Sequence, residues 1–273
     1  MNKLSKGKFY GRQKKELLLP GIVITETQYS TSDSFPWHYH ENPYFALIRK
    51  GSSVEKNRKA TNYCTPGTLL FHNSEDPHCN PKYNQPTMVF HLEMDSSWLL
   101  KYDINLSPLQ GNFSLDDAGY RTTMINIWKE FASYDSFSKM SVDGLLLQMT
   151  SAMLRQTTTK ETSKTPRWVN YLKEILHTDD IENISLKQVA HELSIHPVHI
   201  SREFPKYFNS SSFGEYVRKI KIEKAISLLS KKELSLTDIA YTAGFSDQSH
   251  FTKTFKSHTG ILPSQYRKFY CNG

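Results

Sequence analysis

Residues 186–204 read L-K-Q-V-A-H-E-L-S-I-H-P-V-H-I-S-R-E-F, and residues 236–255 read L-T-D-I-A-Y-T-A-G-F-S-D-Q-S-H-F-T-K-T-F. At an offset of about 50 residues the two stretches repeat. Leu186, Ala190, Ile195, Ile200 and Phe204 recur as Leu236, Ala240, Phe245, Phe251 and Phe255, with one extra residue in the second turn. A leucine and an alanine four apart share one face of a short helix. An apolar residue then closes a turn, and two more apolar residues four apart mark the buried face of a second helix. Each copy therefore predicts a helix-turn-helix. The first turn leads to His196-Pro197, with proline at the first helical position; the second contains Gly244 and ends at Ser246, a residue suited to capping a helix.

Between the copies, residues 213–229 read F-G-E-Y-V-R-K-I-K-I-E-K-A-I-S-L-L, apolar at Tyr216, Ile220, Ala225 and Leu228 with Lys and Arg between them. This pattern predicts a long amphipathic helix with a basic outer face. Together with T-G-I-L-P-S-Q-Y-R at 259–267, these stretches resemble the DNA-binding domain of the AraC/XylS family of bacterial transcription regulators, from about Ile184 to Arg267. The chain departs from the family pattern at His196, where a serine cap is usual, and around Asn209, where serines replace a glycine-containing turn. Lys221 replaces a common arginine.

The resemblance implies double-stranded DNA as partner, with RNA polymerase as another. It also implies two recognition helices, roughly residues 197–207 and 247–257, entering successive major-groove segments about 34 Å apart. One polypeptide then reads an asymmetric site. With Ile200 and Phe204 facing inward, the family's base-contacting positions fall on Val198, Ser201 and Arg202, with Lys206 a turn further on. With Phe251 and Phe255 buried, the outward set on the second helix is Gln248, Ser249, His250 and Lys253. Glutamine bonds adenine through both amide atoms, arginine bonds guanine or phosphate, and valine touches a thymine methyl. The competing reading of each is an exposed side chain that is merely solvated.

The N-terminal half follows a different period. I-V-I-T-E-T (22–27), P-Y-F-A-L-I (43–48), G-T-L-L-F (67–71) and T-M-V-F-H-L-E-M (87–94) are separated by Gly51, Pro66-Gly67 and Asp76-Pro77, the pattern of an all-β sandwich or barrel. His38-Tyr39-His40-Glu41, Gly51, Thr65-Pro66-Gly67-Thr68 and Pro77-His78 stand in the order of the two cupin motifs, so this segment resembles a small cupin barrel. Metal-binding cupins place a carboxylate three or four residues after the second histidine; here Pro43 and Tyr44 stand there, and neither a metal nor a cofactor is expected, the alternative being a partial three-histidine site on His38, His40 and His78. His38, His40, Tyr44 and His78 are expected to line a barrel mouth that holds a small-molecule effector. The alternative is that these histidines only hydrogen-bond turn backbone. His72 and His91, inside strand patterns, read as structural. After Asn112, Ile125, Trp128, Phe131 and Ala132 form one helical stripe and Leu145, Leu146, Met149, Met153 and Leu154 another. Two adjacent amphipathic helices follow, packed on the barrel or on a second subunit, which makes a homodimer the default.

With 273 residues, 15 Tyr and 15 Phe, the chain has room for two cores and is no disordered polymer. Cys64, Cys79 and Cys271 include no C-x-x-C, which excludes a disulfide framework, a four-thiolate zinc site and the DNA-repair methyl acceptors that need one. Lacking the cupin carboxylate as well, the protein reads as no enzyme. The apolar run 17–24 is broken by Pro20 and Gly21 and is too short for a membrane span or signal core, so a cytoplasmic protein without a membrane partner is expected. Residues 1–15 carry six basic side chains and no acid, a basic tail read as solvated and disordered. Residues 16–159 carry 11 basic and 15 acidic side chains, and residues 160–273 carry 17 basic and 12 acidic, so the basic excess falls on the helix-turn-helix half. T-T-T-K-E-T-S-K-T-P at 157–166 has linker composition. The expected organisation is multidomain α+β: a tail to residue 15, a cupin-like domain with a helical hairpin over 16–156, the linker, and an all-α DNA-binding domain over 167–273. Control falls either to a barrel-bound effector or, in an effector-blind regulator, to abundance alone.

Overall fold

The structure, a computed structural model, describes residues 1–158, 166, 168–169, 171–172, 185–208 and 212–271. The chain divides into two compact units, Met1–Lys160 with Lys268–Gly273, and Glu161–Arg267. The proposed linker lies mostly outside the described residues, as does the turn at Asn209.

The first unit is a curled nine-stranded sheet, a half-barrel: β1 (Asn2–Leu4), β2 (Arg12–Leu19), β3 (Ile22–Tyr29), β4 (Phe35–His40), β5 (Tyr44–Asn57), β6 (Thr61–Cys64), β7 (Leu69–His72), β8 (His78–Met94) and β9 (Phe113–Ser114). The strands run in the order β1-β4-β8-β5-β7-β9, with β3 also on β8, β2 on β3 and β6 on β5. The long strands β5 and β8 curl because their pairing is interrupted by register shifts around residues 48–56. At Gly51, φ is +77°, and a Cβ there would collide with the Pro86 carbonyl, so the bend depends on glycine.

Strand alternation divides the apolar residues between two faces. Tyr44, Ala46, Ile48, Leu70 and Val89 share an interior cluster with Tyr29, Cys64 and Tyr83. Their neighbours Phe45, Leu47, Phe71, Phe90 and Leu92 are buried on the opposite face, where Phe90 meets Phe131 at 5.5 Å. Phe131 belongs to α2 (Ala118–Ala132), which packs against α3 (Ser138–Thr158) as the expected helical pair. The short α1 (Ser96–Lys101) is capped by Asp95 and joined to α3 by a Trp98 Nε1–Asp143 bond of 2.9 Å.

The N-terminal fifteen residues differ from the expected disordered tail. Residues 2–4 pair with β4, β2 begins at Arg12, and between them Phe9 stacks on His91 at 3.9 Å and Tyr10 on Phe35 at 4.5 Å. The two aromatics supply burial that a count of lysines overlooks. Residues 268–271 group with the first unit rather than with the helical domain to which the sequence assigns them. Arg49, buried and paired with Glu26, donates to the Phe269 carbonyl at 2.8 Å and lies 4.7 Å over that ring.

The second unit holds α4 (Leu186–Glu192), α5 (Pro197–Phe208), α6 (Phe213–Leu229), α7 (Leu236–Thr242), α8 (Gln248–Thr259) and the start of α9 (Pro263–Cys271), whose residues from Lys268 onward group with the first unit. Val189, Ala190, Ile200, Phe204, Phe208, Phe213 and Val217 form one core; Phe245, Phe251, Phe255 and Tyr266 build a second through ring contacts of 5.3–5.5 Å. The buried stripe of α6 is Phe213, Val217, Ile222, Ala225, Ile226 and Leu229, rotated from the expected one; Tyr216 and Ile220 pack at its edge.

Candidate nucleic-acid interface and ligand cavity

The two helix-turn-helix units repeat down to single hydrogen bonds. Ser185 and Ser235 each cap their helix through a capping box with Gln188 and Asp238. The turn then closes by Ile195 N to Ala190 O and by Phe245 N to Ala240 O, both at 2.9 Å. The turn residue has positive φ in each copy, 51° at Ser194 and 85° at Gly244. His196 does what the expected serine would do, its Nδ1 accepting from Val198 N at 3.3 Å. In the second unit the cap is Asp247, not Ser246: its carboxylate accepts from His250 N at 2.7 Å and is held below the usual carboxylate range by that bond. The extra residue displaces the helix start by one position.

Val198, Ser201 and Arg202 on α5, and Gln248, Ser249, His250 and Lys253 on α8, are all exposed, on the faces opposite Ile200, Phe204, Phe251 and Phe255. Arg202 and Lys206 both approach Glu203 at 3.4 Å. Gln248 accepts a 2.6 Å hydrogen bond from Thr237 on α7, which orients its amide. Lys221 on α6 donates to the Gly244 carbonyl and so ties the connecting helix to the second turn. The sequence reading missed both of these contacts, because each joins elements whose relative packing periodicity does not specify. Pro205, inside α5, withholds one helical hydrogen bond just past the exposed set.

In the first unit, His38, His40, Tyr44 and His78 line one cavity of about 40 Å³. His72 and His91 line it too, with Glu55, Tyr29 and Tyr83, and Phe9 closes over His91. Strand parity carried that signal: Tyr44 is opposite His72, and Ala46 is opposite His91, so all four share a face. His38 Nδ1 donates to the Pro36 carbonyl at 2.8 Å, Tyr44 Oη lies 3.2 Å from His78 Nε2, and His72 Nε2 lies 3.5 Å from Glu55 Oε2. His40 Nδ1, His72 Nδ1, His78 Nδ1 and Glu55 Oε1 are buried with no hydrogen-bond partner. Burial pushes every one of these imidazoles down, His40 to about 2 and His91 to about 3, and pushes Glu55 up to about 8. The cavity is therefore lined by neutral rings at neutral pH.

Two equivalent helix-turn-helix units with polar, exposed second helices define a tandem DNA-binding module. A helix-turn-helix domain family matches residues 189–268. The probable transcription factor PqrA of Proteus vulgaris is 37% identical over 87 residues, 32% of this chain and 70% of that protein. The transcriptional activator RhaS of Escherichia coli is 22% identical over 253 residues, 86% of this chain and 88% of that one. The Msm operon regulatory protein of Streptococcus mutans is 31% identical over 106 residues, 39% of this chain, which spans only 38% of that relative's length. The chain belongs to the AraC/XylS family of transcription regulators. No described helix is long and apolar enough to cross a membrane.

Proposed function

We propose that the protein reads an asymmetric DNA site through Val198, Ser201 and Arg202 in one major-groove segment and Gln248, Ser249, His250 and Lys253 in the next. It acts as a homodimer that engages RNA polymerase, under control of a ligand bound in the histidine-lined cavity. The observation that carries this reading is the exposure of all seven side chains on two helices whose capping and turn geometry repeat. Exposed Tyr134, Phe137 and Met140, where α2 meets α3, support the dimer. An effector-blind regulator is favoured by one observation, the cavity's about 40 Å³, an order of magnitude below the pockets that hold organic ligands.

The test is binding to a site selected from random duplexes, at stated salt. Arg202→Ala and Lys253→Ala are each expected to weaken specific binding by about 1–3 kcal/mol with unchanged melting temperature. Unchanged affinity in both variants sinks the assignment of α5 and α8 as recognition helices.

A further inference from the structure

The cavity poses a chemical question that an organic effector does not answer. About 40 Å³ is room for an ion and a water or two. Yet four buried donor or acceptor atoms around it, on His40, His72, His78 and Glu55, have no partner. Buried polar groups left unpaired cost roughly 1–3 kcal/mol each, so an occupant that pairs with any of them is stabilised there.

Glu55, His72 and His78 each offer a ligand atom, all within 4.8 Å of one another. The atoms that approach each other are not the unpaired ones: Glu55 Oε2 and His72 Nε2 are 3.5 Å apart, an ion-pair contact whose length is close to the roughly 3.4 Å that separates two ligands of one tetrahedral ion with bonds of about 2.0–2.1 Å. Second contacts are also in place: Asn80 Nδ2 donates to Glu55 Oε2 at 3.5 Å, and the Tyr44 hydroxyl meets His78 Nε2. His38, His40 and His78 form an overlapping group, but three neutral rings would leave a dication's charge uncompensated. Glu55 is the one carboxylate among the described residues that line the cavity. We infer that this cavity binds one divalent first-row transition-metal ion, of the zinc, cobalt or nickel class, through Glu55, His72 and His78. Imidazole donors select this class over magnesium and calcium. The carboxylate that the sequence lacks after His40 comes instead from β5, the strand whose curl brings Glu55 beneath β7 and β8. The inference rests on the proposed ligand control only for its regulatory consequence; the site itself stands on geometry.

Full-length protein is stripped with chelator, equilibrated with Zn²⁺ or Co²⁺ and desalted; metal per chain and the Co²⁺ visible spectrum are then measured. One ion per chain is expected, with affinity reduced by at least roughly tenfold in Glu55→Gln and His72→Ala but retained in His38→Ala. Near-UV circular dichroism checks folding, and the near-isosteric Glu55→Gln carries the test if His72→Ala does not fold. Failure of the wild type to retain an ion overturns the inference. So does an ion kept by Glu55→Gln and lost from His38→Ala, which would place it on the other histidine group. DNA affinity in the same samples is read separately: an ion that binds without changing it overturns the ion's role as effector and supports the site.

Discussion

Ser194 and Gly244 occupy equivalent turns, and only the second is a residue suited to the left-handed conformation both adopt. A side chain there costs about 1–2 kcal/mol. Gly244→Ala is therefore expected to destabilise the helical unit by about that amount, more if the Lys221 bond to its carbonyl is disturbed. Ser194→Gly should stabilise it by up to about 1 kcal/mol, since the relief of strain exceeds the extra entropy lost on folding. Urea unfolding followed by circular dichroism checks both; equal and opposite shifts are not expected, because Gly244 alone anchors a second helix. His196 shows what was hard to read at this scale. Residue type pointed away from a cap, and only the Nδ1 contact to Val198 reveals one.

The helix-turn-helix repeat was the most legible element, and the exact helix starts were not. The repeated Leu, Ala and following apolar positions marked both helix-turn-helix units, whereas the buried stripe of α6 came out rotated because two cores share that helix and a single amphipathic face describes neither. In the β unit, Tyr44 was picked out from its place after the cupin-like histidines, and strand parity, which was not applied, brings His72 and His91 to the same cavity. Helix α1 offers a test of capping. Burial alone would raise the Asp95 carboxyl, but Lys6, Ser97 and the backbone N–H groups of Ser97 and Trp98 outweigh it and hold the carboxyl down to about 2. Because the folded value lies below the unfolded one of about 3.9, its contribution is complete above about pH 4 and is lost as pH falls through about 2. Asp95→Asn should lower the melting temperature near neutrality and flatten its dependence on pH between about 4 and 2. An unchanged acid profile would mean that other carboxylates govern that range.

At the scale of the molecule, charge was legible and cavity chemistry was not. The basic excess over residues 160–273 is the electrostatic half of DNA binding, readable from composition. If Lys253 meets phosphate, Lys253→Ala should reduce the slope of log K against log salt by about 1; a base contact by Arg202 should leave the slope nearly unchanged in Arg202→Ala and alter preference at one base pair. Selection of sites by both variants across a salt series measures this. The part that Glu55 takes in the cavity was hidden because it lies far from His78 in sequence and meets it only through strand pairing and curl, as Phe9 meets His91 only once the N-terminal segment is placed. Strand β8 carries a consequence for how such a protein changes over generations. Val89 and His91 face the cavity, while Phe90 and Leu92 are buried on the opposite face of the sheet, where Phe90 meets α2. Adjacent codons thus answer to separate demands, so a lineage can exchange what the interior recognises while the outer face keeps its helices seated.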